Sequence, residues 1–162
     1  MELWDGYDRD FNKIDDLVLE RGKDIPDGVF HLVCEVIVRH IDGSFLMMQR
    51  DFRKHLGGKW ELTAGGSALL GERATDCAKR ELQEETGIES SSLVEIGRSV
   101  NNERHTLYVE YLCTTDCNKD SITLQPGETI AFKWIKPDDL KKLDVRDLAS
   151  SRTIEAITML VS

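Results

Sequence analysis

The run from Gly66 to Ile88, G-x5-E-x7-R-E-L-Q-E-E-T-G-I, narrows the fold of this chain more than any other stretch. Its middle, Glu72 to Thr86, predicts a helix. Gly71 and Glu72 open it, an acidic residue suits the first turn, and Gly87 stands where a left-handed cap ends it. At about 100° per residue, Ala74, Ala78, Glu81 and Glu85 share one narrow stripe, flanked by Cys77 and Glu84 on one side and Leu82 on the other. The stripe begins with small apolar side chains and ends in carboxylates. Two carboxylates about 5 Å apart repel by roughly 3 kcal/mol at an effective dielectric of ~20. Either one keeps its proton or a cation sits among them, and hard oxygen donors favour Mg²⁺ or Mn²⁺. The competing reading is a solvated acidic face in which Glu81, Glu84 and Glu85 pair with Lys79 and Arg80.

The flanking pattern predicts strands packed around that helix. Leu3 to Asp8 and Ile14 to Glu20 read as a hairpin, and Phe30 to Val38 as a largely apolar central strand. Asp42-Gly43 marks a tight turn before a returning strand over 44–50. Asp51 to Lys59 is a polar, basic loop, and Trp60 to Thr63 a short strand. Gly65-Gly66 then forms a turn in which backbone approaches closely. Ser92 to Ser99, Thr106 to Cys113 and Thr129 to Ile135 supply further strands, with Leu107, Val109, Tyr111 and Cys113 on one face. Pro137 suits the first turn of a short helix over 137–143, and Ile154, Ile157 and Val161 repeat at helical spacing.

Charge and cysteine usage exclude several function classes. A formal net charge of −9 argues against non-specific nucleic-acid binding, which needs a basic stripe. For an anionic substrate it is an obstacle that bound divalent cations remove. Cys34, Cys77 and Cys113 sit in apolar patterns as small core residues, and Cys113-x3-Cys117 without a second pair is no zinc site. No apolar segment approaches ~20 residues, so no membrane span is expected. The opening residues have neither a basic start nor an apolar run, and a reducing cytoplasm is the expected compartment.

The run from Gly66 to Ile88 resembles the Nudix box, the signature of hydrolases acting on nucleoside diphosphates linked to another moiety. Every fixed position is filled, and Leu82 and Ile88 hold its aliphatic positions. The resemblance covers about residues 30 to 160. It implies an α/β (α+β) fold, an α/β/α sandwich around a mixed central sheet, with residues 1–29 as a hairpin extension to a domain of residues 30–162. It implies Mg²⁺ or Mn²⁺ held by Glu81, Glu84, Glu85 and the Gly65 carbonyl, with Glu72 and Arg80 bracing them. The catalytic carboxylate is then Glu81, Glu84 or Glu128, the last because family members often place a carboxylate in that loop. Arg50, in a Gln-Arg at a strand end, is the expected contact to substrate phosphates, against a plain surface role. Arg53, Lys54 and His55 form a basic loop that could meet a phosphate and reads rather as solvated, and His31 and His105 read as structural or surface residues rather than catalytic ones. The partner is a small-molecule diphosphate, with no nucleic acid and no membrane.

A second resemblance lies upstream. Trp4-Asp5-Gly6-Tyr7-Asp8, Leu19-Glu20-Arg21-Gly22 and Ile25-Pro26-x-Gly28-x-Phe30-His31 are similar to the branch related to isopentenyl-diphosphate isomerase. There the leading residues add strands or a dimer contact, which implies a homodimer. The isomerases carry a catalytic cysteine and a metal-binding histidine in a loop that here reads Thr63-Ala64-Gly65-Gly66-Ser67. Both residues are missing, so isomerisation is the alternative and hydrolysis the main expectation. A binding module without turnover is the third reading, and the complete box weighs against it.

Overall fold

His31–His40 forms β3, and its neighbours set the layout of the molecule. In the computed structural model, which describes residues 1–90 and 92–161, Leu32, Cys34, Val36 and Val38 alternate onto one face and join one core cluster. Ile37 joins a second cluster on the opposite face. Ser162, where the expected domain ends, lies outside the described residues. β3 runs parallel to β8, Thr106–Thr115, in unbroken register from His31↔Thr106 to His40↔Thr115. The other ladders are antiparallel: β7, Val94–Asn101, on β8, and β9, Thr129–Ile135, on β4, Phe45–Arg50. Among the described residues a seven-stranded sheet results, mixed as expected.

The other edge of β3 is shared. The Asp42-Gly43 turn, with Gly43 at φ 92°, brings back β4, but one ladder pair, Arg39↔Phe45, is all that joins it to β3. β4 then diverges with β9 and β5, Trp60–Glu61. The rest of β3 pairs with β6, Thr63–Ser67, from Val33↔Ser67 to Ile37↔Thr63. This corrects the expectation of one strand over 60–63 followed by a glycine turn. Leu62 is buried between two short strands that serve different partners, and Gly65 and Gly66 are themselves in the ladder. Only glycine fits there, since a Cβ on Gly65 would lie 2.2 Å from the Cys34 carbonyl oxygen.

Helices cover both faces. α1, Ala74–Thr86, packs Cys77, Ala78 and Leu82 onto Cys34, Val36 and Ala64. It ends as predicted, with Gly87 at φ 78° and its N–H on the Gln83 carbonyl at 2.9 Å. It begins two residues later than predicted, because Glu72 turns back to accept from the Leu69 N–H at 3.1 Å. On the other face α2, Pro137–Leu140, and α3, Arg152–Val161, bury Leu140 and Ile157 with Ile37, Phe45 and Met47. The leading hairpin, β1 Leu3–Tyr7 with β2 Lys13–Glu20, forms a separate two-stranded sheet. It docks through Tyr7 on Phe30 and through Trp4, whose ring stacks on His31 at 4.2 Å. Among the described residues no helix is long and apolar enough to cross a membrane.

Candidate active site

Where the sheet forks, a cleft of about 620 Å³ opens. One arm contributes Arg50, Glu61 and Thr129; the other contributes Val33, Glu35, Gly65 and Tyr108. The end of α1 supplies Glu81, Glu84 and Glu85, and the loop before β9 supplies Glu128. The candidate metal-holding, catalytic and phosphate-contacting residues Gly65, Glu81, Glu84, Glu85, Glu128 and Arg50 thus line one cleft with Arg80, and Glu72 reaches it through Arg80.

Arg80 organises the carboxylates. Its Nε and Nη2 donate to the two oxygens of Glu72 at 2.8 and 2.9 Å. Its Nη1 reaches Glu81 at 2.9 Å and Glu84 at 3.3 Å, and Nη2 also meets the Ser67 carbonyl at 3.2 Å. The guanidinium fork suits this divided task, and bonding to Glu72 raises its pKa further. Glu72 is held below its usual range by the same contact.

The three glutamates differ in environment. Glu84 is the most open, with 40% of its side chain exposed against 14% for Glu81. Burial pushes the Glu81 carboxyl up, against the pull of Arg80. Glu85 is only partly accessible, and desolvation, with Glu81 and Glu61 nearby, raises it well above the usual range. Its one hydrogen bond is from the Gly65 N–H at 3.2 Å, and among the described residues it has no ion pair. An enclosed carboxylate without a cation calls for a proton or a metal. The Glu81 and Glu61 carboxylates near it are hard oxygen donors, and that chemistry fits a divalent ion. Among the described residues no three His, Cys, Asp or Glu side chains already close up as a metal site; Arg80 occupies Glu81 and Glu84 instead. Glu81 lies directly against Gly66, where a Cβ would come within 2.5 Å of its Oε1.

Across the cleft, Arg50 Nη1 donates to Glu61 at 2.6 Å and its Nε to the His55 carbonyl at 2.9 Å. Only 18% of its side chain is exposed, so it is not a free surface arginine. Glu128 is ion-paired with Lys54. Lys54 therefore lines the cleft, correcting the solvated reading; Arg53 stays largely exposed and pairs with Asp51. His31 and His105 make structural contacts, His31 with Thr106 and His105 with the Val29 carbonyl.

Sequence reasoning missed Glu35, Glu110 and Arg152. The first two are neighbours in the β3–β8 ladder, and Arg152 donates to both oxygens of Glu35 at 2.6 and 2.7 Å. Its guanidinium also lies 3.8 Å over the Tyr108 ring. A charged residue inside each of two apolar strands was the available signal.

A model of the NUDIX domain matches residues 29–155. An uncharacterized Nudix hydrolase of Listeria monocytogenes is 30% identical over 130 residues, spanning 76% of this chain and 73% of that protein. An RNA pyrophosphohydrolase of Erythrobacter litoralis is 29% identical over 132 residues, spanning 68% of this chain and 78% of that protein. A solved structure from Deinococcus radiodurans superposes with a TM-score of 0.77 over 98% of both chains at 16% identity, a likeness of fold.

Proposed function

Because the chain belongs to the Nudix family, hydrolases acting on phosphorus-containing anhydrides, we propose that it is a divalent-metal-dependent pyrophosphohydrolase that cleaves the P–O–P bridge of a diphosphate-linked small molecule. The observation that carries this reading is Glu85, which lines the cleft beside Glu81 and, among the described residues, has no ion pair and one hydrogen bond, from the Gly65 N–H. Glu81, Glu84, Glu85 and the Gly65 carbonyl are the groups that would hold Mg²⁺ or Mn²⁺. The ion, when bound, supplies charge neutralisation of the diphosphate and a more acidic water.

The protein's own groups do the rest. Arg80 braces Glu81 and Glu84 against their mutual repulsion and ties them to Glu72. Arg50, fixed by Glu61 and the His55 carbonyl, presents its guanidinium to the substrate phosphates. Glu84, the most open of the carboxylates, orients water for in-line attack on phosphorus. Glu81 is shielded against Gly66, and Glu128 is engaged by Lys54, so both are second to Glu84 in that role. The isomerase alternative has no supporting acid in the cleft loop, where Thr63 to Ser67 carry no thiol or imidazole. Residues 1–29 act as an extension that closes one end of the cleft, where Glu2 and Arg21 line it.

The test is turnover of a panel of nucleoside diphosphate-linked compounds with Mg²⁺ or Mn²⁺. Glu84→Gln and Glu85→Gln should each lower kcat by at least about a hundredfold, the loss usual for removing a central electrostatic group. Near-normal rates in both variants on a confirmed substrate would refute the assignment.

A further inference from the structure

The turn that carries Glu72 is not held by its own helix. At the start of α1, Arg73 stands in the capping position and makes no side-chain capping bond. Gly71 is at φ 78°, and among the described residues no atom lies within 4 Å of where its Cβ would be, so packing does not fix the bend. Leu69 and Leu70 are exposed. Backbone N–H groups hold the turn instead. Two of them bond inside it: the Leu69 N–H donates to Glu72 Oε1 at 3.1 Å, and the Glu72 N–H to the Leu69 carbonyl at 2.9 Å. The two between them reach the leading hairpin. The Leu70 N–H donates to the Leu3 carbonyl at 2.9 Å, and the Gly71 N–H to Asp5 Oδ2 at 2.8 Å, across 66 residues.

Asp5 is fixed independently of the turn. Its side chain is only 6% exposed, and Lys13 of β2 pairs with its other oxygen at 3.2 Å. An enclosed carboxylate costs free energy unless its oxygens are matched. Here a cation matches one, and the Gly71 N–H matches the other through a charge-assisted bond. The hairpin also has its own footing on the domain. Tyr7 and Phe30 exchange both backbone bonds at 2.9 Å, and Trp4 stacks on His31. Asp5 stands between these two anchors on β1.

From the turn the contacts run on to the carboxylates. Glu72 takes Nε and Nη2 of Arg80 with its two oxygens, which sets the plane of the guanidinium. Nη1 then meets Glu81 and Glu84. A shift of the turn therefore tilts the fork, and the fork carries two of the three glutamates with it.

We propose that Asp5 is a positioning residue of the metal site: it fixes the turn over 69–72 and, through Glu72 and Arg80, sets Glu81 and Glu84 in place for the ion. The proposal rests on the metal-dependent reading and deepens it, since it gives the leading hairpin a part in cation affinity. Mn²⁺ affinity tests it, read by electron paramagnetic resonance where circular dichroism shows each variant folded. Asp5→Ala leaves the exposed Gly71 N–H to water and should weaken Mn²⁺ binding ~3- to 10-fold, the size of coupling carried by a chain of contacts. Asp5→Asn keeps an oxygen for the Gly71 N–H and should stay within about twofold of wild type. In Glu72→Ala the chain is already cut, so adding Asp5→Ala should cost less than about twofold more. Coupling is reciprocal, so Mg²⁺ should slow hydrogen exchange at the Gly71 amide of wild type, a readout that needs no variant to fold. Unchanged Mn²⁺ affinity in Asp5→Ala, no rescue by Asp5→Asn, an undiminished effect of Asp5→Ala in Glu72→Ala, or Gly71 exchange indifferent to Mg²⁺ would overturn the role of Asp5. Wild type that binds no Mn²⁺ would overturn the metal reading itself, and the role of Asp5 with it; binding in wild type that Asp5→Ala leaves intact overturns the role of Asp5 alone.

Discussion

Arg80 joins the end of α1 to the loop before it, and its fork is the reason it can. Arg80→Lys keeps the charge but cannot bond both oxygens of Glu72 while reaching Glu81. Turnover and Mn²⁺ affinity should each fall ~10- to 100-fold, the usual cost of losing a group that orients metal ligands; unchanged Mn²⁺ affinity would mean that the carboxylates hold their places without it. His31 gives a pH signature. Burial lowers its pKa from 6.5 to about 4. Between those values the unfolded chain binds a proton that the folded chain refuses, so folding stability falls as pH drops from about 6.5 to about 4. Denaturant midpoints at pH 6.5 and 4.5 should show a smaller drop for His31→Gln than for wild type. An equal drop would place the acid sensitivity elsewhere. At this scale the sequence was readable where residues act within one element. Glu81, Glu84 and Glu85 follow from helical spacing, whereas Arg152 meets Glu35 across 117 residues, and no period in the chain encodes that contact.

α1 is the element whose buried face and C-terminal end the sequence set out most fully, while its start lies two residues later than predicted. Its small buried residues, its carboxylate end and its Gly87 cap all follow from spacing and from the left-handed conformation that glycine adopts without strain. Gly87→Ala should destabilise the fold by about 1–2 kcal/mol from backbone strain alone, and the new Cβ would also crowd Thr123 Oγ1 at 2.9 Å. Leu82 is fully buried, and Leu82→Ala should cost about 2–5 kcal/mol. Chemical denaturation checks both, and a Gly87→Ala variant as stable as wild type would contradict the cap. The strands around β6 were less legible. A glycine pair reads as a turn when only local preference is considered. Here it is a strand, because the Cys34 carbonyl approaches so closely that no side chain fits. That constraint comes from the partner strand, which lies some thirty residues earlier.

The whole molecule places an acidic cleft at the fork of a mixed sheet, between the end of α1 and the arm of β4, β5 and β9. With a net charge of −9 and glutamates on both arms, the apo cleft repels a diphosphate unless cations enter first. Cation binding to the folded state alone should also stabilise it, by about 2.7 kcal/mol at a hundredfold excess over Kd. Thermal unfolding with and without Mg²⁺ reads this, and no shift at saturating ion would count against a folded-state site. The most direct measurement is Mn²⁺ titration followed by electron paramagnetic resonance on wild type, Glu84→Gln and Glu85→Gln, with circular dichroism confirming that the variants fold. Wild type should bind Mn²⁺, and each variant should bind it ~10-fold more weakly or worse. Equal Mn²⁺ affinity in all three proteins would show that the glutamates of α1 do not hold the ion, and would contradict the account.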